Sequence, residues 1–360
     1  MPDVLEIDAS IGEGGGQVLR TSLALSVLLQ KPVRITNIRS GRPRPGLQPQ
    51  HLAGVHALAK ICKGTVYGAK LGSTSLDFFP GLPAPARITV NIGTAGSTAL
   101  LFAQLAPVGL LVPLNVRAFG GTDVAFSPPS SFVSAVWIPA IKSMGAKFDF
   151  DPLTPGYFPV GGGRTVFKSR PAHFPLKALS LLESGELKGL HIIVHGSGVP
   201  KDAARLALSH ARKSLAPRFA SIEITEEINL DRFAGRSKGL GVDIQAVFDS
   251  GATIASSALG DRGMLSESQI STAAKRLIEG IKSRAPMDIH LADQLLLYAV
   301  LAKGKSLFRV AGVSDHLATN AKIIRLFLPD CVIELPSQDA ETKIVSVQGI
   351  AYTGISSPSH

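Results

Sequence analysis

Cysteine is almost missing from this chain: Cys62 and Cys331 are the only two in 360 residues. That excludes a disulfide framework and any zinc site built from several thiolates, and it fits a reducing compartment. Asparagine is also scarce, at five residues, a depletion seen in heat-stable proteins. No apolar run is long enough to span a membrane. The longest, Thr98 to Leu114, is broken by Gln104, Pro107, Gly109 and Pro113, so it reads as a buried helix and its connection. The start, MPDVLEIDAS, has early acids and no apolar segment. No signal peptide is therefore expected, and a cytoplasmic location is. Several nucleotide and metal motifs fail as well. From Gly12, the third glycine position of G-x-G-x-x-G is Gln17. Ahead of Gly304-Lys305-Ser306, the first glycine of a P-loop is Ala299. Neither C-x-x-C nor H-E-x-x-H occurs.

Acidic residues are missing locally. From Gly14 through Leu76 there is no Asp or Glu, while nine cations fall in that window: Arg20, Lys31, Arg34, Arg39, Arg42, Arg44, Lys60, Lys63 and Lys70. The whole chain carries a net charge of +10, which favours an anionic partner. The window is either a solvated basic surface, with its acids supplied from elsewhere in the fold, or a polyanion track. The cluster RSGRPRPGLQPQH, Arg39 to His51, favours the track. Its prolines stiffen the backbone, and arginine forks match phosphate oxygens.

With 45% hydrophobic and 18% charged residues, the chain is no disordered protein. Its length corresponds to roughly two domains. Strand and helix patterns alternate, so the class is mixed α and β. VLEIDAS alternates as a strand, GEGGG breaks it, and QVLRTSLALSVLL reads as a helix. VRITNIR and HLAGVHALAKIC repeat strand and helix, and ARITVNIG, TAGS and TALLFAQLAPVGL repeat strand, turn and helix. Gly12, Gly15 and Leu19 share the spacing of Gly93, Gly96 and Leu100, a weak internal repeat. The texture changes between about Glu186 and Leu277. A strand, a loop and a helix are followed there by SIEITEEI, GVDIQAVFDSG and ATIASSALG. This segment, 186–277, is expected to be an inserted α/β domain, with 1–185 and 278–360 forming the larger one.

Three local patterns bear on chemistry. GEGGGQ is a glycine turn before a helix, where backbone approaches a phosphate closely and the helix end supplies N–H donors. Glu13 in that turn either is solvated or faces phosphate across a divalent cation. HLADQLLL puts His290, Asp293 and Gln294 on one helix face. SDHLATN puts His316 at a helix start, where the dipole disfavours imidazolium and keeps the ring neutral.

Taken together, IDASIGEGGGQVLRTSLALS, NIRSGRPRPGLQPQHLAGV, IGTAGSTALL, GGTD with SPP, YFPVGGG, HLADQLLL and HLATN resemble the RNA 3′-terminal phosphate cyclase family. The resemblance runs along essentially the whole chain in order. It implies an α/β (α+β) fold of three tandem βαβαββ units with a smaller inserted α/β domain. It implies an ATP-dependent enzyme of the ligase class that converts an RNA 3′-phosphate into a 2′,3′-cyclic phosphodiester. The route would pass through covalent histidine–AMP and RNA–adenylate intermediates. His316 would be the nucleophile. Glu13, Gln104, Pro128, His290, Asp293 and Gln294 would line the nucleotide pocket, with Glu13 also near Mg²⁺ or Mn²⁺. Arg20, Arg39, Arg42, Gln50 and His51 would hold the RNA phosphates. Family members commonly have Tyr where this chain has His290. The inserted domain's aromatic base contact has no counterpart, since Ser256 and Ser257 stand near its expected place. Two other readings share the scaffold. One is a non-catalytic relative acting in ribosome biogenesis, which lacks the nucleophile. The other is an enolpyruvyl transferase, which needs none. The partner implied is RNA with a 3′-phosphate end and not a membrane, and the oligomeric state stays open.

Overall fold

The computed structural model describes residues 3–231 and 237–355. The chain is a mixed α/β protein, with four sheets among the described residues. The first is built from β1 (Leu5–Asp8), α1 (Gly16–Leu29), β2 (Val33–Thr36), α2 (Pro49–Cys62), β3 (Thr65–Tyr67) and β4 (Leu76–Phe79). Its strand order is β1-β2-β4-β3, with β1 and β2 parallel and the other pairs antiparallel. The turn into α1 relies on glycine. Gly12 and Gly14 have φ of +67° and +56°, a region open to few other residues.

The pattern recurs with β5 (Ala86–Asn91), α3 (Thr98–Gly109), β6 (Leu114–Gly120), a helical segment, β7 (Lys147–Thr154) and β8 (Gly163–Arg170). The helical segment comprises α4 (Ser130–Phe132), a π-turn at Val133–Trp137 and α5 (Ile138–Ser143). The sheet order is β5-β6-β8-β7, the same arrangement one unit later. A third copy starts with the short strands β9 (Leu176–Lys177) and β10 (Ser180–Leu181) and is then interrupted.

The interruption carries β11 (Leu187–Ser197), α6 (Lys201–Leu215), β12 (Glu223–Asp231), β13 (Gly239–Phe248), β14 (Thr253–Leu259) and α7 (Glu267–Lys282). Its sheet runs β12-β11-β13-β14. Alternate residues of β11 and β13, among them Ile192, Val194, Val242 and Ile244, turn inward under α6 and α7. They make a hydrophobic cluster separate from the main one. The third unit then resumes with α8 (Ile289–Leu301), β15 (Ala302–Arg309), α9 (Asp315–Phe327), β16 (Ile333–Glu334) and β17 (Ile344–Ile350). Its order is β10-β15-β17-β16. One core joins side chains from all three units, including Leu23, Phe102, Trp137, Leu295 and Phe308. Among the described residues no helix is long and apolar enough to cross a membrane.

A buried polar contact fastens the interrupting sheet to the second unit. The Tyr157 hydroxyl lies 2.8 Å from His195 Nδ1, and His195 Nε2 lies 3.3 Å from Asp243 Oδ2. Glycine makes room for both rings. A Cβ on Gly239 would sit 1.9 Å from the Tyr157 ring, and one on Gly241 would sit 2.4 Å from the His195 ring. Ser237 Oγ accepts from the Tyr157 backbone and donates to the Gly161 carbonyl.

Candidate active site

Helix packing brings the ends of three helices together. α1 packs on α9, and α9 packs on α8, so the glycine turn, His316 and His290 converge. α9 is started by Ser314, whose hydroxyl accepts from the Leu317 backbone N–H, and His316 follows in the first turn. Its neighbour Thr319 reaches the glycine turn: a Cβ on Gly12 would meet Thr319 Oγ1 at 2.0 Å. Only glycine admits the helix that closely.

His316 is half-buried. Its Nδ1 lies 3.3 Å from Glu13 Oε1, and Arg42 holds the other oxygen of Glu13 at 2.7 Å. Burial lowers the His316 pKa, and Arg20, His290 and Arg42 push the same way against Glu13. The ring is therefore neutral near pH 7. The helix start disfavours imidazolium in the same direction, and burial is the first cause of the lowered pKa.

The opposite wall is cationic. A Cβ on Gly16 would lie 2.5 Å from His51 Nε2 and 3.0 Å from Arg20 Nη1, and one on Gly15 would lie 2.8 Å from Arg42 Nη2. Burial, with Arg20 and Arg39 adding repulsion, lowers His51 to about 3. The Gln48 backbone N–H donates to His51 Nδ1 at 3.3 Å. In the neutral ring the proton is then on Nε2, the atom that faces the glycine turn. Burial lowers Arg20 to about 10, partly offset by Asp293, so the guanidinium stays charged at pH 7. Arg39 donates to the backbone carbonyls of Arg44 and Gly46, curling the loop. Gln50 Oε1 accepts from the Ser97 N–H at 2.6 Å, tying α2 to the second glycine turn.

On α8, Asp288 caps the helix by accepting from the His290 and Leu291 N–H groups, and His290 is exposed. Asp293 is buried, and burial raises its pKa to about 8, with the Gln294 side-chain amide and Arg20 acting against the rise. The structure thus gathers Glu13, Arg20, Arg42, His51, His290, Asp293, Gln294 and His316, with Arg39 and Gln50 on the adjoining loop and helix start. Gln104 and Pro128 are not hydrogen-bonded into this cluster among the described residues. Gln104 is 2% exposed and packed on Gly54, and its Nε2 is a buried donor without a partner. Pro128 is half-buried on the loop between β6 and α4. Ser257 lies on β14, opposite Asp243 of β13.

Sequence reasoning missed the polar contacts that tie these helices. Asn320, 4% exposed, accepts from Thr21 Oγ1 at 2.7 Å and from Gln17 Nε2 at 2.9 Å. It donates to the Asp293 carbonyl at 3.0 Å. The one available signal was its place four residues after His316, on the same helix face.

The family described as RNA 3′-terminal phosphate cyclase matches residues 11–332. The chain is similar to the RNA 3′-terminal phosphate cyclase of Pyrobaculum aerophilum, 39% identical over 97% of this chain and 99% of that one. The protein of the same name from Pyrobaculum neutrophilum is 38% identical, again over 97% and 99%. That from Sulfolobus acidocaldarius is 39% identical over 90% and 95%. Matches of this extent, on a site with its glycine turn, basic wall and histidine in contact, establish that the chain belongs to the RNA 3′-terminal phosphate cyclase family.

Proposed function

We propose that the chain cyclises RNA 3′-terminal phosphates at the expense of ATP, through a covalent adenylate on His316. The observation that carries this is the neutral His316 with Nδ1 directed at the Glu13 carboxylate. A carboxylate at Nδ1 favours the tautomer with its proton there, which leaves the lone pair on Nε2. That nitrogen attacks the α-phosphorus of ATP. A P–N bond forms, the P–O bond to the leaving group breaks, and pyrophosphate departs. An oxygen of the RNA 3′-phosphate then attacks the adenylate phosphorus, and the P–N bond breaks to restore neutral His316. The neighbouring 2′-hydroxyl oxygen attacks the activated 3′-phosphorus, its proton passes to solvent, the P–O bond to AMP breaks and AMP leaves. One difficult displacement becomes three easier ones.

The surrounding residues fit these substrates. The glycine turn exposes backbone at the α1 end, a setting suited to phosphate. Arg20, Arg39, Arg42 and His51 Nε2–H would hold terminal RNA phosphates, joined by the side-chain amide N–H of Gln50. His290, Asp293 and Gln294 would border the nucleoside. Gln104 and Pro128 are assigned to the same proposed pocket by the resemblance, although Gln104 Nε2 is buried. For Mg²⁺ or Mn²⁺, Glu13 supplies a hard oxygen donor. Among the described residues no three His, Cys, Asp or Glu side chains gather to hold an ion. The fit is therefore to an ion held chiefly by the triphosphate, with Glu13 as the protein's carboxylate. Its chemistry there would be to neutralise phosphate charge.

The test is mass spectrometry of the chain after exposure to ATP, combined with conversion of an end-labelled RNA 3′-phosphate. An AMP adduct on His316 and a cyclic end are expected. An adduct on lysine, or cyclisation without any adduct, would defeat the proposal.

A further inference from the structure

Five of the site's residues stand on three helices drawn from two repeat units, α1 from the first and α8 and α9 from the third. α1 carries Arg20 and follows the glycine turn, α8 carries His290, Asp293 and Gln294, and α9 carries His316. Something must fix their relative rotation and slide. Apolar packing alone does so loosely, because aliphatic contacts have little directionality.

One buried amide meets all three. Asn320 Oδ1 accepts from Thr21 Oγ1 at 2.7 Å and from Gln17 Nε2 at 2.9 Å, both on α1. Its Nδ2 donates to the Asp293 carbonyl of α8 at 3.0 Å. The chain of contacts continues outward, since Gln17 Oε1 accepts from Arg20 Nη2 at 2.8 Å. Arg20 lies against Gly16 beside His51 and acts electrostatically on His316, His51 and Asp293. The geometry demands one residue type. It needs an oxygen that accepts twice and a nitrogen that donates once on a short stem. Aspartate has no donor in its ionised form, leucine has neither group, and glutamine is one methylene too long. Asn320 is also four residues from His316, so both lie on the same face of α9.

We infer that Asn320, with Gln17, is a positioning residue for the adenylation step: it fixes His316 and Arg20 relative to each other without touching substrate. This rests on the function proposed above. A displacement of about 1 Å between nucleophile and electrophile costs on the order of 10²-fold in rate. The amide therefore governs rate more than affinity.

The experiment compares wild type, Asn320→Leu, Gln17→Met and the double variant. Thermal melting checks folding. Calorimetry with an α,β-methylene analogue of ATP measures nucleotide affinity, and single-turnover formation of the AMP adduct measures the step itself. Expected is a folded Asn320→Leu protein that binds the analogue as wild type does and forms adduct about 10²-fold more slowly. The double variant is expected to be no slower than the worse single, because both act through one connection. Asn320→Asp retains the two acceptor contacts and should recover part of the rate. If Asn320→Leu fails to fold, Gln17→Met and Thr21→Val break the same links from α1, and the same slowing is expected of them. An unslowed folded variant, affinity lost in proportion to rate, or losses that multiply in the double variant would each overturn the inference. A wild-type chain that forms no adduct overturns the functional reading instead and removes the basis of this inference with it.

Discussion

In the proposed mechanism His316 and Glu13 divide the work at the glycine turn. The imidazole would supply the electron pair, and the carboxylate would set which nitrogen carries it. His316→Asn keeps size and polarity but has no nucleophilic ring nitrogen. Adduct formation should be abolished while ATP still binds. The loss should exceed the ~10²–10⁴-fold of a missing general acid or base, since no other covalent route exists. Glu13→Gln should slow adduct formation and change its metal titration, and an unchanged rate and titration would return Glu13 to a solvated turn. The pH profile follows from the signs. Burial holds the His316 pKa below its ordinary value of 6.5, so the reactive neutral form persists below that value. The rate should stay level as pH falls through 6.5 and drop only lower down. Glu13 opposes the depression, so Glu13→Gln should move the drop lower still. A drop centred at 6.5 in both proteins would contradict this account. The place of His316 at a helix start was legible in the sequence because its block is local. Asn320 was not legible as a connector, because its partner Gln17 is 303 positions away and no periodicity links them.

Element by element, most helices were visible as patterns and the short strands were not. α1, α2, α3 and α8 fall within two residues of the segments read from hydrophobic spacing. The helix STAAKRLIEGIKS begins four residues earlier than its apolar pattern, because Ser266 and Gln269 form a capping box. β9, β10 and β16 have two residues each, too few to show alternation. The polar contact that docks the interrupting sheet was also hidden, since Tyr157, His195 and Asp243 lie on separate elements. That contact makes a pH prediction. Burial lowers the His195 pKa, but Asp243 and Asp123 outweigh it and raise it to about 9. Between 6.5 and about 9 the folded chain holds a proton that the unfolded chain has released. The stability from this pair is complete below 6.5 and is lost as pH rises through about 9. Asp293, raised to about 8, titrates over an overlapping range, so the test compares His195→Gln with wild type. The variant should lose less stability between pH 6.5 and 9.5 in thermal melts, and identical slopes would show that His195 does not titrate there. Gly239→Ala should cost about 1–3 kcal/mol, because its Cβ would overlap the Tyr157 ring.

Across the whole molecule, charge divides the acid-free window into two roles that composition could not separate. Arg34 is neutralised from outside the window, bonding Asp77 at 2.7 Å and Glu6 at 3.1 Å on the first sheet. Lys31 donates to the Phe327 carbonyl at the end of α9. Both follow the solvated-surface reading. Arg20 and Arg42 border the glycine turn and Arg39 stands near His51 beside it, a placement that the polyanion-track reading calls for and RNA binding would test. Arg42 is committed partly to Glu13, so removing it would disturb His316 as well as RNA, and it makes a poor probe of binding alone. Arg44 is exposed on the same curled loop and makes a better one. A protein that neutralises phosphates of a single strand releases counterions. The logarithm of its binding constant then falls with the logarithm of salt by ~0.7 per phosphate contact. Arg44→Ala should therefore weaken binding of a 3′-phosphorylated RNA and reduce that slope by ~0.7. Arg34→Ala, which removes a cation of equal charge from a paired site, should leave the slope as it is. Fluorescence anisotropy across a salt series measures both. Equal slopes in the two variants would mean that only net charge matters, and that the loop carries no RNA.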